Sequence, residues 1–257
     1  MSDIRSIAAF YENLGVPDAC VLGKRMFKKQ FYEHGQLGAA DRAAFVEDIE
    51  GIEWRFTLKP STINIPKLED DTHEYLEIAV LQVLLTATER HARIAAVIQK
   101  AIPYPLLILF VSGSRLAINA ADKRINRADA NKIVVEASYD SGWIDSAAPT
   151  PEQDAFLSDF RAKNFSYRNL YDFYQDAVGR LIALTCATHT GKYEPPGVNG
   201  KPKADRLEAL RQMDKLQQER AETRNKLKKE KNLGTQVSLN TRIKQLSDRI
   251  EAIRNDL

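Results

Sequence analysis

Apolar positions recur with a period near 3.6 at the start of the chain, near 2 in its middle, and as an unbroken heptad at its end. Ile4, Ile7, Ala8, Phe10, Tyr11 and Leu14 lie three or four apart, predicting a helix that Gly15 and Pro17 stop. Lys24, Arg25, Lys28 and Lys29 are interleaved with Met26, Phe27, Phe31 and Tyr32, which suits a loop or a sheet edge. Cationic stems snorkelling around buried aromatics account for that pattern better than a nucleic-acid patch does. Asp41 can cap a helix that buries Ala44, Phe45, Asp48 and Ile49 and ends at Gly51. Residues 53–58 then alternate polar and apolar up to Pro60, and residues 74–85 form a longer apolar run. Both read as strands that pair across the loop between them.

Thr86 or Thr88 can cap a helix through Ala101, with Ile94, Val97 and Ile98 on one face, ended by Pro103 and Pro105. Residues 106–111 are wholly apolar and Gly113-Ser114 turns the chain back through 115–119, a β-hairpin; residues 132–138 supply a further strand. Phe156, Leu157, Phe160, Phe165, Leu170, Phe173, Tyr174, Ala177, Val178, Leu181 and Leu184 predict an aromatic core with a long amphipathic helix over about 167–188. Gly191, Pro195, Pro196, Gly197, Gly200 and Pro202 follow as a linker. Beyond it Leu239, Ile243, Leu246, Ile250, Ile253 and Leu257 are spaced four, three, four, three and four, a coiled-coil seam. Leu207, Leu210, Met213, Leu216, Ala221 and Leu227 repeat less regularly before it. A break at Leu233-Gly234 and a cap at Ser238 make the two helices an αα-hairpin.

The expected architecture is a mixed α/β (α+β) fold: a mostly antiparallel sheet of about five strands with packed helices, then a C-terminal antiparallel helical hairpin. Residues 1–148 form the α/β domain, 149–200 an aromatic helical segment with its Gly/Pro linker, and 201–257 the hairpin. The seam residues Leu239, Ile243, Leu246, Ile250 and Ile253 suit a partner interface as well as the hairpin itself, so a homo-oligomer stays open.

Charge sharpens this picture. The net charge of +2 conceals 15 Lys/Arg against 9 Asp/Glu in residues 201–257, leaving 22 against 26 before them. The basic tail points to an acidic partner, nucleic acid among them, and Arg220, Arg224, Lys226, Lys228, Lys229 and Lys231 are its candidate contacts. A solvated helix surface is the plainer account. Hydrophobic residues at 44% and charged residues at 28% suit a globular protein. The first residues lack a basic-then-apolar leader, and the run at 106–111 is far short of the roughly 20 residues that span a bilayer, so a cytoplasmic chain without membrane contact is expected. Two cysteines, Cys20 and Cys186, supply neither a disulfide framework nor a four-cysteine zinc site.

Catalytic patterns are absent. A restriction-type nuclease needs a strand bearing Glu-x-Lys beside a second carboxylate, to hold a metal and stabilise developing charge. No Glu-x-Lys occurs, and Asp70, Asp71, Glu74 and Glu77 have no lysine partner. His34, His73, His91 and His189 are dispersed, Ser112 and Ser114 lack a nucleophile elbow, and residues 197–202 put Pro where a phosphate loop needs Ser or Thr. No catalytic residue, metal ligand or cofactor contact is assigned.

Several strings, in order, resemble one bacterial family, a domain of unknown function numbered forty-three ninety-one. They are Ile52-Glu53-Trp54, Leu58-Lys59-Pro60-Ser61-Thr62-Ile63-Asn64-Ile65, Ala101-Ile102-Pro103-Tyr104-Pro105, Asn169-Leu170-Tyr171 with Tyr174, and Leu239-Asn240. The resemblance implies a setting beside helicase and DNA-methyltransferase genes in restriction or anti-phage loci, and no catalytic residues. Three readings follow: a non-catalytic accessory subunit docking to a helicase or DNA methyltransferase through the hairpin or the aromatic helix; a divergent metal-dependent nuclease; and a nucleic-acid-binding protein acting through the basic hairpin.

Overall fold

The structure, a computed structural model, describes residues 2–33, 37–126, 129–197 and 201–257. It comprises two compact units, Met1–Leu181 and Ile182–Leu257. In the first, helix α1 (Ser2–Leu14) and a 3-10 turn (Asp18–Cys20) precede strand β1 (Val21–Met26). Helices α2 (Lys29–Glu33) and α3 (Ala39–Asp48) lead to β2 (Ile49–Leu58) and a single turn, α4 (Pro60–Ile63). A ribbon of β3 (Leu68–Glu69) and β4 (Glu74–Tyr75) precedes β5 (Ile78–Leu85), helix α5 (His91–Ala101) and β6 (Leu106–Ser112). Strands β7 (Arg115–Asn126), β8 (Asp129–Asp140) and β9 (Ile144–Asp145), helix α6 (Pro151–Asp159) and helix α7 (Leu170–Thr190) follow, α7 ending in the second unit.

The main sheet runs β1-β2-β5-β6-β7-β8, with β9 also on β7. Every pairing in it is antiparallel except β5 with β6. That pairing is parallel because α5 carries the chain back over the sheet, the usual connection between parallel neighbours. The mixed, mostly antiparallel α/β architecture is as the pattern predicts. It has more strands than the five expected, since β1 and β9 join the sheet.

Burial explains the apolar runs. Strands β5 and β6 sit mid-sheet with helices on both faces, so nearly all their side chains are buried, as uninterrupted apolar strands require. On one face Leu81, Val83, Ile108 and Phe110 pack with Phe45 of α3 and Ile94 and Ile98 of α5. On the other, the Tyr174 hydroxyl of α7 receives a hydrogen bond from Ala121 N (2.9 Å) and reaches the carbonyls of Leu106 and Ala121, both at 3.0 Å. Buried Asp48 is neutralised by Arg90, whose Nε donates to its Oδ2 at 2.6 Å.

Several local expectations shift. The run 74–85 splits: Glu74–Tyr75 pairs with Leu68–Glu69, and only Ile78–Leu85 enters the main sheet. Helix α5 begins at His91 with Arg90 at its N-cap and no side-chain cap, and the Thr86 hydroxyl instead reaches the carbonyls of Glu47 and Asp48. Helix α3 ends at Asp48, and Gly51 lies within β2, where it pairs with Leu84. Phe156 and Phe160 belong to the separate helix α6 and its end, and α7 starts at Leu170.

The second unit holds the end of α7 and the helices α8 (Lys203–Lys229) and α9 (Leu233–Asp256). Lys201 meets Asp256 at one end of the pair, and Arg242 Nε meets Glu219 Oε1 at 3.0 Å farther along, so α8 and α9 are antiparallel. Asn232, not Ser238, caps α9 by accepting from Thr235 N at 3.1 Å, and Leu233 and Gly234 are its first residues. No helix among the described residues is long and apolar enough to cross a membrane.

Candidate functional site

The hairpin owes its form to its seam. Met213 and Leu216 of α8 and Leu246 and Ile250 of α9 are buried together, with Ile253 and Leu257 packed against them. Leu239 and Ile243 are half-buried. Of the residues that suit a partner interface, Leu246, Ile250 and Ile253 therefore lie on the internal seam of one chain's own hairpin, whereas Leu239 and Ile243 are outside that cluster. The aromatic helix is likewise occupied: Leu170, Phe173, Tyr174, Ala177 and Val178 of α7 are buried.

The basic residues remain outside. Arg224, Lys226, Lys228, Lys229 and Lys231 are exposed, and Arg220 is half-buried with its Nη1 3.5 Å from Ser247 Oγ. Their distribution is uneven. Residues 220–247, the outer half around the connecting turn, hold eight Lys/Arg against Glu222 and Glu230, a net of +6. Residues 201–219 and 248–257, the inner half, hold seven of each sign. Glu230 accepts from the amides of Lys231 (2.8 Å) and Asn232 (2.7 Å), which pins the turn. Three of the lysines also lie in the last turn of α8, where cations favour the helix dipole. Leu233 and Val237, spaced four apart at the start of α9, are 78% and 66% exposed.

The acidic residues weighed for a nuclease do not gather. Asp70 Oδ1 accepts from Thr72 N (2.8 Å), Thr72 Oγ1 (2.9 Å) and His73 N (2.8 Å), and these bonds lower its pKa to about 2. Asp71 and Glu74 are exposed, and no group of three His, Cys, Asp or Glu among the described residues is arranged for a metal. Gly113, with φ of 60°, makes the β6–β7 turn between Ser112 and Ser114. His34 and residues 198–200 of the loop resembling a phosphate site lie outside the described residues. Cys20 and Cys186 are buried free thiols.

Three clusters escape the sequence pattern. Arg25, Glu53 and Gln82 stand side by side across β1, β2 and β5, with Tyr11 Oη donating to Gln82 Oε1 at 2.9 Å. Glu53 is neutralised by Arg55 at 3.0 Å, whose guanidinium lies 5.0 Å from the centre of the Tyr11 ring. His91 and Asp140 form a second cluster, extended by Asn119, Ser138 and Gln99. A third, around Arg206, lines a cavity of ≈480 Å³ at the inner end of the hairpin. Arg206 stands seven residues before Met213, at a seam position, and that polar intrusion is the one signal its sequence carries.

Sheet, helices and hairpin define a mixed α/β protein with a basic helical hairpin. The chain belongs to the family described as "Domain of unknown function (DUF4391)", which matches residues 14–250. No curated protein and no solved structure matches it.

Proposed function

We propose that the protein binds nucleic acid through the outer half of its helical hairpin, as an accessory subunit of a bacterial DNA-processing system. The observation that carries this reading is the segregation of charge: +6 on residues 220–247 and a balanced inner half. A merely solvated helix pair has no need to separate its charges so, whereas phosphate contacts draw on clustered exposed cations. At about 1.5 Å per residue, α8 is about 40 Å long, so its outer half offers about 20 Å of basic surface, the length of several phosphates along a strand. The contacts are sequence-independent in kind, being phosphate rather than base-edge contacts.

The test is fluorescence anisotropy of the full chain with single- and double-stranded DNA and RNA from 50 to 300 mM salt. Replacing Lys226, Lys228, Lys229 and Lys231 by Gln removes up to four phosphate contacts, so the log–log salt slope flattens by as much as about 3.6 on duplex DNA. Unchanged affinity and slope reject the reading.

Leu233 and Val237 favour a second reading, in which the hairpin turn docks to a protein partner such as a helicase or DNA methyltransferase. Ser at both positions then abolishes co-purification of that partner while leaving nucleic-acid binding intact. No observation favours the nuclease.

A further inference from the structure

We infer that the cavity at the inner end of the hairpin binds a phosphate-bearing small molecule, with the Arg206 guanidinium at its centre. The site is separate from the outer-half surface and does not rest on its nucleic-acid reading. It lies wholly within the second unit, between the end of α7, the loop after it, the start of α8 and the end of α9.

Arg206 is the unusual element. It is 3% exposed, yet its Nε has no hydrogen-bond partner among the described residues, and its Nη1 donates to a backbone carbonyl, Glu194 O, at 3.0 Å. A buried guanidinium ordinarily lies against a carboxylate, because a charge removed from water without a counter-ion is strongly disfavoured. The nearby carboxylates are engaged elsewhere: Glu194 with Lys192 at 2.7 Å, and Asp256 with Lys201 at 2.6 Å. Cys186 is no substitute. Its burial pushes the thiol pKa up, so it stays neutral beside Arg206.

Four cationic side chains, Lys192, Lys201, Arg206 and Arg254, line the cavity; the first two are held by those carboxylates, and Arg254 Nη1 lies 3.3 Å from Glu251 Oε2. Arg206 is left as the cation of the cavity with no carboxylate partner among the described residues. Arginine's fixed fork and lysine's point charge together suit a phosphate, whose oxygens accept from several donors at once. The volume of ≈480 Å³ admits more than a bare inorganic ion and falls in the range of small-molecule sites. No aromatic ring among the described residues lines it, so the phosphate rather than a stacked base carries the recognition.

Isothermal titration of the full chain with inorganic phosphate, pyrophosphate and ATP, at constant ionic strength, tests the site. Saturable binding of at least one is expected, with Arg206→Lys, which keeps the charge but lacks the fork, weakening it tenfold or more. Lys201→Gln, at a half-exposed position, weakens it as well and guards against misfolding of the Arg206 variant, with circular dichroism reporting the fold of each. The combined variant Lys226→Gln, Lys228→Gln, Lys229→Gln, Lys231→Gln should bind these ligands as the wild type does, so loss of nucleic-acid binding and loss of this site are told apart. An oligonucleotide competing for the site only when it bears a 5′-phosphate would move the ligand from a small molecule to a strand end and overturn the assignment. Absence of binding at millimolar concentration, or binding indifferent to both Arg206→Lys and Lys201→Gln, overturns it too.

Discussion

His91 Nε2 lies 3.2 Å from Asp140 Oδ1, joining the start of α5 to the end of β8. The other ring nitrogen, Nδ1, is 3.2 Å from Trp143 Nε1, which donates to it when the imidazole is neutral, and 3.0 Å from the carbonyl of Thr88. The hydrogen bond to Asp140 raises the histidine pKa, and burial works against it. A folded-state pKa above the unfolded one stabilises the protein fully below pH 6.5, and that contribution fades as pH rises through the folded value. Asp140→Asn should therefore lower the His91 pKa in an NMR titration and remove the corresponding decline in stability. An unmoved pKa would show that the contact does not exist in solution.

Lys123 has the opposite sign. Its ammonium is buried on β7 and donates to the carbonyls of Ile102 (2.7 Å) and Tyr104 (2.8 Å), tying down the turn that ends α5. Burial drops its pKa from 10.5 to about 7. Between those values the unfolded chain holds a proton that the folded chain lacks, so stability rises with pH, at most by about 1.4 kcal/mol per unit. Cys20 and Cys186, whose buried thiols have raised pKa values, act in the contrary sense above pH 8. The informative quantity is the difference between wild type and Lys123→Met in urea unfolding from pH 7.5 to 9.5. Parallel pH profiles would mean that Lys123 keeps its charge in the fold.

Tyr174 joins α7 to two strands at once, since its hydroxyl meets β6 at Leu106 and β7 at Ala121. Tyr174→Phe keeps the ring and removes these bonds, leaving the Ala121 N–H without its hydroxyl acceptor. The expected loss is about 1–3 kcal/mol, read as a lower urea midpoint at unchanged m-value. An unchanged midpoint would contradict the geometry.

Local order was legible in the chain, and pairing across distance was not. Residues 106–111 read as a strand because burial on both faces leaves only apolar positions, but the run does not record that its neighbour β5 lies parallel. The apolar stretch 74–85 reads as one strand because nothing in its composition marks Glu77 as the change of sheet. The seam from Leu239 to Leu257 was plain, since a heptad is a local signal. The caps were not: Thr86, Thr88 and Ser238 are all competent, and tertiary acceptors or a better-placed Asn232 decide among them. Of the sites, the basic run around Lys226 is contiguous and readable. The Arg206 cavity and the His91–Asp140 pair join residues far apart in the chain, which only the fold brings together.

Leu246 gives the sharpest test of the hairpin. It is fully buried in the seam with Met213, Leu216 and Ile250, whereas Leu239, nearer the turn, is half-buried. Leu246→Ala opens a cavity between two helices that have few other apolar contacts, with an expected cost of about 2–5 kcal/mol. The same change at Leu239 should cost less, because water already reaches that side chain. Hydrogen exchange is the readout: amides of α8 and α9 lose protection in Leu246→Ala while those of β5 and β6 keep theirs. If nucleic acid is held by the ordered outer half, the same variant binds more weakly with every lysine still present. Affinity equal to wild type in a variant whose hairpin amides exchange freely would show that the charge alone, and not its display on paired helices, does the binding.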